Sequence, residues 1–170
     1  MPDEEPARLA TLNVIVVAID GSELSTYALQ VAKGIARAQN AKVVAVHVRH
    51  VDQAALSAAA TPTSVTADEF FDAADEIARE AKDSASRVLG DAGPAQWTYE
   101  ERQGQPVDSI VAAVQEHQAD LVVVGSHGHR LLYQLVVGSI TQGLILRAPV
   151  SVLVARPHQG GSPPGDAATE

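Results

Sequence analysis

The chain has 170 residues, a net charge of −9 and no cysteine. This length predicts a single domain that can bury a core, and the lack of thiols excludes disulfides, thiolate metal sites and cysteine nucleophiles. The acidic balance argues against nucleic acid as a partner. Because the sequence has neither an apolar leader nor an apolar run of membrane-spanning length, we expect a cytoplasmic protein with no membrane partner.

The two ends of the chain differ in composition from its middle. Segments 1–11 and 157–170 are rich in Pro, Gly and small polar residues, a composition typical of disordered tails. We therefore expect one folded domain over 12–156. Within it, apolar runs alternate with helical patterns, and an Ala-, Ser- and Thr-rich stretch at 50–65 indicates a long surface loop.

Five apolar runs predict strands, and four helical patterns separate them. The first strand ends in the turn-forming tripeptide at 20–22, and Asn40 is typical of a helix stop. The spacing of Thr66 and Glu69 is that of a capping box, which predicts a helix start. In chain order, the predicted elements are strand Val14–Ile19, helix Tyr27–Ala38, strand Lys42–Val48, helix Thr66–Leu89, strand Gln96–Arg102, helix Pro106–Gln118, strand Leu121–Val124, helix Ser139–Arg147 and strand Val150–Ala155.

This alternation of strands and helices predicts the fold class. Strands separated by helices form right-handed βαβ crossovers, so we expect an α/β fold with an open, doubly wound, five-stranded parallel sheet and helices on both faces. The strand Gln96–Arg102 alternates in polarity and is expected at a sheet edge. In such sheets a ligand lies outside the carboxyl ends of the strands, where the strand order reverses.

A glycine-bearing loop follows the fourth strand. It reads Gly125-Ser126-His127-Gly128, then nine residues, then Gly138-Ser139-Ile140-Thr141 at a predicted helix start. Glycines let the backbone approach an anion closely, and a helix start supplies N–H groups and the positive end of the helix dipole. From Leu121 to His158 there is no Asp or Glu, but there are three arginines and three histidines. The pattern favours a phosphate chain lying across this loop.

A second interpretation of the loop needs no ligand. Gly125 and Gly128 would then shape a tight turn, and Ser139 would cap the following helix, with Gln142 completing a capping box. Both interpretations stay open at the level of the residues, because three glycines at fixed spacings are a weak signal by themselves.

Several single side chains also have two interpretations. Arg130 reaches a phosphate in one and lies in solvent in the other. His127 and His129 are better explained as exposed loop residues than as metal ligands, since the sequence places no carboxylate near them. His47 alternates with apolar strand residues and is expected to be a hydrogen-bonded sheet histidine. Trp97 is expected to pack in its strand rather than stack on a base.

The sequence resembles the universal stress protein family over about Leu12–Arg156. The pattern GxxGx9G[ST] after the fourth strand is similar to the nucleotide-binding motif of the ATP-binding branch of that family. NVIVVAIDGSELS resembles its opening segment and KVVAVHV its second strand. GQPVDSIVAAVQEHQADLVVVGSHG and LILRAPVSVLVAR resemble its third helix through its last strand.

The resemblance implies an adenine nucleotide site that takes ATP with Mg²⁺. Asp20 would lie near the ribose and phosphates or help to hold the metal, and Val48 would meet adenine through its backbone. The glycine loop would line the phosphates. The complete set that the resemblance implies is Ala18, Asp20, Val48, Gly125, Gly128, Arg130, Gly138, Ser139, Ile140 and Thr141.

Three functional classes follow from these observations. In the first, ATP occupancy orders the loop at 125–139 in a regulatory protein of stress adaptation. The second is a slow ATPase or phosphotransferase. The GxxxxGK[ST] pattern is absent and no lysine follows Lys82, so no catalytic residue is assigned. The third is a nucleotide-free dimeric scaffold, which the intact glycine motif disfavours.

The last strand also has two interpretations. As an inner strand, Val150–Ala155 needs no explanation, but as an edge strand it would be an unprotected apolar edge, which proteins normally cover or pair. The family resemblance implies pairing with a second copy of the same strand about a twofold axis. We therefore expect a homodimer through this strand.

Overall fold

A computed structural model of the chain describes residues 11–49, 67–90, 96–126 and 138–157. In chain order, its elements are β1 (Val14–Ile19), α1 (Glu23–Gln39), β2 (Lys42–Arg49), α2 (Ala67–Leu89), β3 (Trp97–Gln103), α3 (Pro106–Glu116), β4 (Leu121–Gly125), α4 (Ser139–Arg147) and β5 (Ser151–Ala155). The predicted elements are confirmed to within one or two residues at each end, apart from the first helix. The predicted tails and the loop at 50–65 lie almost wholly outside the described residues.

All five strands are parallel and form one sheet in the order β3-β2-β1-β4-β5. The predicted α/β fold with an open, doubly wound sheet is therefore confirmed. β3 lies at one edge, as its alternating polarity predicted, and β5 lies at the other. From β1 the chain first adds β2 and β3 on one side, then returns to add β4 and β5 on the other. The strand order thus reverses between β1 and β4.

The central strands are buried on both faces. Ile15, Val17 and Ile19 of β1 belong to an apolar layer with α1 and α2, whereas Val16 and Ala18 belong to a layer with α3 and α4. Burial on both faces explains why β1 is a continuous apolar run rather than an alternating one. On β3, Trp97 packs against the first of these layers, which confirms the prediction of a packing role.

The first helix begins four residues earlier than predicted, at Glu23 rather than Tyr27. Ser22 is its N-cap, and the Ser22 Oγ accepts a hydrogen bond from the Ser25 amide over 3.2 Å. Polar residues of this first turn hide the helical spacing in the sequence. At the other end, Asn40 stops the helix in the left-handed conformation, with a φ of 55°, as predicted.

Ion pairs run along the β3 edge of the sheet. Arg102 lies 2.8 Å from Glu100 and 2.6 Å from Glu116, which ends α3. The His117 Nε2 lies 2.5 Å from Glu100. Partial burial raises the pKa of Glu100, but hydrogen bonds from Arg102 and His117 outweigh this and hold that pKa below its usual value. The edge is therefore rich in paired charge.

A membrane-crossing helix needs both sufficient length and apolar character, and no helix among the described residues has both.

Candidate functional site

The reversal of strand order places two strand ends side by side. Ala18 of β1 pairs in register with Val124 of β4, so Asp20 and Gly125 both lie at the carboxyl-terminal end of the sheet. α1 begins just after β1, and α4 begins beside the end of β4, where the Gly138 amide donates a 2.9 Å hydrogen bond to the Ser126 carbonyl. Two strand ends and two helix N-termini therefore surround the position at which this fold class binds ligands.

The start of α4 has no side-chain cap. Its N-cap is Gly138, with φ −58° and ψ 152°, and its first turn contains no acidic residue. The first intrahelical bond runs from the Gln142 amide to the Gly138 carbonyl over 2.9 Å. The amides of residues 139–141 precede it and belong to the turn whose N–H groups have no acceptor within a helix. Such a turn attracts an anion.

The ligand-free interpretation of this helix start is wrong in one respect. It placed Ser139 as the cap, but the cap is Gly138 and Ser139 is the first helical residue. The side chains of Ser139 and Ile140 are exposed, with Ile140 at 37%. Gly138 has no side chain that could accept a hydrogen bond from the amides of this turn.

Thr141 makes a contact that its place in the motif did not suggest. Its hydroxyl donates a 2.9 Å hydrogen bond to the Gly125 carbonyl, and the residue is only 2% exposed. Its hydroxyl proton is therefore used within the protein. The bond joins the first turn of α4 to the last residue of β4.

Gly125 lies close against the first turn of α1 and does not face open space. A Cβ atom built on it would lie 3.0 Å from the Leu24 carbonyl oxygen and 3.2 Å from the Leu24 Cβ. A side chain here would push the first turn of α1 away from β4. Close packing of a helix against a strand thus accounts for this glycine, whatever it does for a ligand.

The start of α1 is closed by its own side chains. The Asp20 Oδ1 accepts hydrogen bonds from the Ser22 amide over 3.1 Å and from the Ser22 Oγ over 2.6 Å. The same Oγ caps the Ser25 amide, and Glu23 adds a negative charge to the first turn. Asp20 is half-buried, and this turn holds its carboxylate in one orientation. The carboxylate lies beside the carboxyl ends of β1 and β4, a position called the crevice below.

The end of β2 contributes Val48 and His47. Val48 is half-buried on the α3 side of the sheet and pairs in register with Arg102 of β3. His47 is 4% exposed, and its Nδ1 lies 3.1 Å from the Ile19 carbonyl oxygen. The predicted role of His47 as a hydrogen-bonded sheet residue is confirmed, and the contact ties the end of β2 to the end of β1.

Two of the predicted site residues, Gly128 and Arg130, lie outside the described residues, as do His127 and His129. Their roles stay predictions. Within the described part of the chain, no group of three or more His, Cys, Asp or Glu side chains forms a metal-binding cluster.

Three residues of the site were not singled out from the sequence. Ser22 closes α1, Leu24 contacts Gly125, and the Ser126 carbonyl accepts the Gly138 amide. A serine at the end of a turn is a recognisable N-cap signal, so Ser22 could have been found. The other two act through main-chain atoms, which leave no mark on residue type.

An open groove of about 360 Å³ lies between α1 and α2 and reaches Gly21, just after β1, and Pro157, just after β5. Tyr27 and Gln30 of α1 and Arg87 of α2 line it, together with the carboxylates of Glu23 and Glu80. Two carboxylates against one guanidinium do not favour a phosphate. The groove is therefore a poorer place for an anion than the start of α4.

Comparison with known proteins adds to this geometry. The sequence model of the universal stress protein family matches residues 11–156. Universal stress protein YxiE of Bacillus subtilis is 30% identical over 152 residues, an alignment that covers 85% of this chain and 99% of that protein.

Solved structures agree with the fold. Universal stress protein UspA from Lactobacillus plantarum superposes with a TM-score of 0.69 at 24% identity, covering 86% of this chain and 99% of the other. A universal stress protein in complex with cAMP superposes with a TM-score of 0.57 at 29% identity, covering 85% and 97%. With a family match that spans every described strand and helix, this chain belongs to the universal stress protein family.

Proposed function

We propose that this chain binds ATP with Mg²⁺ at the carboxyl ends of β1 and β4, and that it acts as a nucleotide-dependent regulatory module in stress adaptation. The observation that carries the proposal is the open N-terminus of α4, which has neither a side-chain cap nor an acidic residue in its first turn. The relative at 29% identity that is in complex with cAMP supports an adenine nucleotide as the ligand.

The phosphates would lie against the first turn of α4. Main-chain N–H groups of Ser139, Ile140 and Thr141 would donate to them, and the helix dipole would stabilise their charge. Gly128 and Arg130, from the loop before Gly138, would complete these contacts. Hydrogen bonds to a charged group contribute about 1.5–3 kcal/mol each, so three of them supply about 5–9 kcal/mol, against about 8 kcal/mol for micromolar binding.

The carboxylate of Asp20 fits the Mg²⁺ that accompanies ATP. It is half-buried, and its Oδ1 is held by the amide and hydroxyl of Ser22, so its orientation is set before a ligand arrives. Mg²⁺ at nucleotide sites takes one or two carboxylates, phosphate oxygens and water. One fixed carboxylate is therefore sufficient.

The base would lie across the end of β2. Main-chain groups of Val48 would hydrogen-bond adenine, as the family resemblance implies. Ala18 belongs to the same α3-side apolar layer that Val48 packs against, so the two residues would provide an apolar surface under the sugar and base. This arrangement separates the apolar part of the nucleotide from its phosphates at α4.

Calorimetric titration with ATP, ADP, AMP and cAMP, with and without Mg²⁺, tests the proposal on protein first stripped of nucleotide. The decisive variant is Gly138→Asp, because Asp is a favoured N-cap and its carboxylate would occupy the first-turn amides itself. We expect ATP binding to weaken at least about 100-fold, which corresponds to the loss of about two charge-assisted hydrogen bonds.

Two matched controls accompany this variant. Gly138→Asn adds a cap of the same shape without the charge and should weaken binding less than Gly138→Asp. Gly34→Asp makes the same chemical change on α1 at a position with nothing within 4 Å, and should leave ATP affinity unchanged. If Gly138→Asp binds ATP as tightly as the unaltered protein, the phosphate site at α4 is wrong.

Phosphate release on the same samples separates a regulatory binder from a slow ATPase. We expect no release above that of the Gly138→Asp variant, because the sequence has no P-loop lysine and no residue is assigned to orient an attacking nucleophile. Release that Gly138→Asp abolishes would favour the enzyme instead.

We also propose that the protein forms a homodimer through β5. β5 is an edge strand, and beside it α4 exposes Ile145 at 53% and Leu146 at 83%. An apolar edge of this kind is normally covered. The opposite edge, β3, instead carries the charged network around Arg102, which disfavours strand pairing there.

Sedimentation velocity on two matched edge variants tests the dimer. Ser151→Lys places a charge on the exposed start of β5, and Thr98→Lys places one on the exposed part of β3. We expect a dimer for the unaltered protein and for Thr98→Lys, and a monomer or weakened dimer for Ser151→Lys. A dimer lost only with Thr98→Lys would assign the interface to the other edge.

A further inference from the structure

We infer that Thr141 is a positioning residue for the phosphates of the nucleotide and does not bind them through its side chain. The inference rests on the proposed function, because it concerns how the open start of α4 is held in place. Its basis is the buried hydrogen bond from the Thr141 hydroxyl to the Gly125 carbonyl, 2.9 Å long.

Two of the hydrogen bonds between described residues join the start of α4 to the end of β4. One runs between main-chain atoms, from the Gly138 amide to the Ser126 carbonyl over 2.9 Å. The other is the bond from Thr141 to Gly125. Of these two hydrogen bonds, only the one from Thr141 depends on the identity of a side chain. A substitution at Thr141 therefore removes this bond and leaves the bond from Gly138.

The acceptor of this bond is itself firmly held. Gly125 pairs in register with Ala155 of β5, and the Leu24 carbonyl of α1 lies so close that a Cβ on Gly125 would come within 3.0 Å of it. The Gly125 carbonyl therefore has a position set by the sheet and by α1. The hydrogen bond from Thr141 to this carbonyl therefore fixes the position of the first turn of α4 relative to the sheet.

The direction of the hydrogen bond decides between positioning and direct contact. A hydroxyl has one proton, and at Thr141 that proton is directed to Gly125 in a pocket where the residue is 2% exposed. Phosphate oxygens accept hydrogen bonds and need donors. The donors at this turn are main-chain N–H groups, and their direction depends on the position of the turn relative to β4. Small shifts of the turn matter, because binding groups must be held to within a fraction of an ångström.

The test compares Thr141→Val, which keeps the shape and removes the hydroxyl, with Thr141→Ser, which keeps the hydroxyl. Dissociation constants are measured for ATP and for adenosine. We expect Thr141→Val to weaken ATP by roughly tenfold, the effect of one charge-assisted hydrogen bond. Adenosine binding should change by less than about twofold because adenosine has no phosphate, and Thr141→Ser should restore ATP affinity.

A matched control lies at the other helix start. The Thr26 hydroxyl donates to the Ser22 carbonyl over 3.1 Å in the first turn of α1, so Thr26→Val removes a similar hydrogen bond at the terminus that is closed. It should leave ATP affinity unchanged. Should Thr141→Val fail to fold, Thr141→Ala removes the same hydroxyl without placing a methyl group against the Gly125 carbonyl, and the comparison with Thr141→Ser is unaltered.

Hydrogen exchange of the Gln142 amide in nucleotide-free protein separates positioning from contact. This amide makes the first helical bond of α4, to the Gly138 carbonyl. Positioning predicts faster exchange in Thr141→Val and normal exchange in Thr141→Ser before any nucleotide is added. Normal exchange in Thr141→Val together with weakened ATP binding would overturn the inference in favour of direct contact.

The remaining outcomes are distinct from failure of the proposed function. Equal weakening of ATP and adenosine by Thr141→Val, or no weakening of either, overturns the positioning role while ATP binding that is sensitive to Gly138→Asp still stands. Absence of ATP binding in the unaltered protein overturns both proposals.

Discussion

The two helices that begin at the crevice, α1 and α4, have opposite kinds of N-terminus. α1 is closed by its own residues, because Ser22 caps it and Asp20 and Glu23 add negative charge beside the first turn. α4 begins at Gly138 without a side-chain cap and without an acidic residue in its first turn. Equal helix dipoles therefore give one start that repels an anion and one that attracts it.

If the proposed function is right, this difference places the two ends of a metal–nucleotide complex at different helices. Phosphate oxygens would lie against α4, and the cation that they carry would face the Asp20 carboxylate at the start of α1. A protein that bound phosphate at both helix starts would need no such asymmetry. The following predictions test this division of roles, in order of expected effect.

The largest effect is expected where the two helix starts meet the sheet. Gly125→Ala places a Cβ 3.0 Å from the Leu24 carbonyl oxygen, and overpacking of this kind destabilises folding by about 1–3 kcal/mol. The midpoint of urea unfolding should fall. The control Gly34→Ala lies in the middle of α1 with nothing within 4 Å. It should raise the midpoint, because Ala in place of a helical Gly raises the free energy of unfolding by about 0.5–1 kcal/mol. Effects of the same sign at both positions would contradict the close approach.

The next effect concerns the metal side of the site. Asp20→Asn removes the negative charge but keeps an oxygen that accepts the hydrogen bonds of Ser22. We expect ATP affinity measured with Mg²⁺ to fall roughly tenfold, because a neutral oxygen is a weaker ligand for a hard cation. Affinity measured with EDTA should stay the same or rise. A loss of equal size with and without Mg²⁺ would assign Asp20 to the nucleotide instead of the cation.

Removing the cap of α1 should separate stability from binding. Ser22→Ala leaves the Ser25 amide without its 3.2 Å acceptor, and loss of an N-cap destabilises by about 1 kcal/mol. Thermal unfolding should shift downward while ATP affinity measured with EDTA, where Asp20 holds no Mg²⁺, is retained. Gly138→Ser adds a cap at α4 and should do the reverse, with stability kept and ATP affinity lowered. The comparison fails if both variants change the same quantity.

The smallest effect is electrostatic. Glu23 is exposed in the first turn of α1, so its repulsion of a nearby phosphate is weakened by solvent and salt. Glu23→Gln should raise ATP affinity by about twofold at low ionic strength and by nothing measurable at 1 M salt, where charges are screened within about 3 Å. A gain that persists at high salt would point to a direct contact rather than to charge.

Local pattern was sufficient for the elements and the fold class. The continuous apolar run Val14–Ile19 indicated a strand buried on both faces, and the alternation in Gln96–Arg102 indicated an edge. Asn40 was identified as a helix stop because few other residues adopt a positive φ easily. The two strand features depend on which faces of a strand are buried, and the spacing of apolar and polar residues records this.

The caps of α1 and α4 were harder to predict, because both helices begin with small or polar residues that also occur in loops. Ser22 and the polar turn after it resemble a loop, so the first helix was predicted to begin at Tyr27. At α4 the same ambiguity led one interpretation to Ser139 as the cap, whereas Gly138 is the cap. Side-chain capping and solvent exposure use the same residue types, and only the backbone conformation separates them.

Other features were decided by contacts between residues far apart in sequence. The strand order, the edge position of β5 and the approach of Leu24 to Gly125 all depend on how finished elements pack against one another. Thr141 illustrates the point: the motif supplied a hydroxyl near the proposed phosphate site, and the fold directs it to the Gly125 carbonyl. Spacing along a chain records that a side chain is buried or polar, but the partner it meets is chosen only when the sheet and its helices come together.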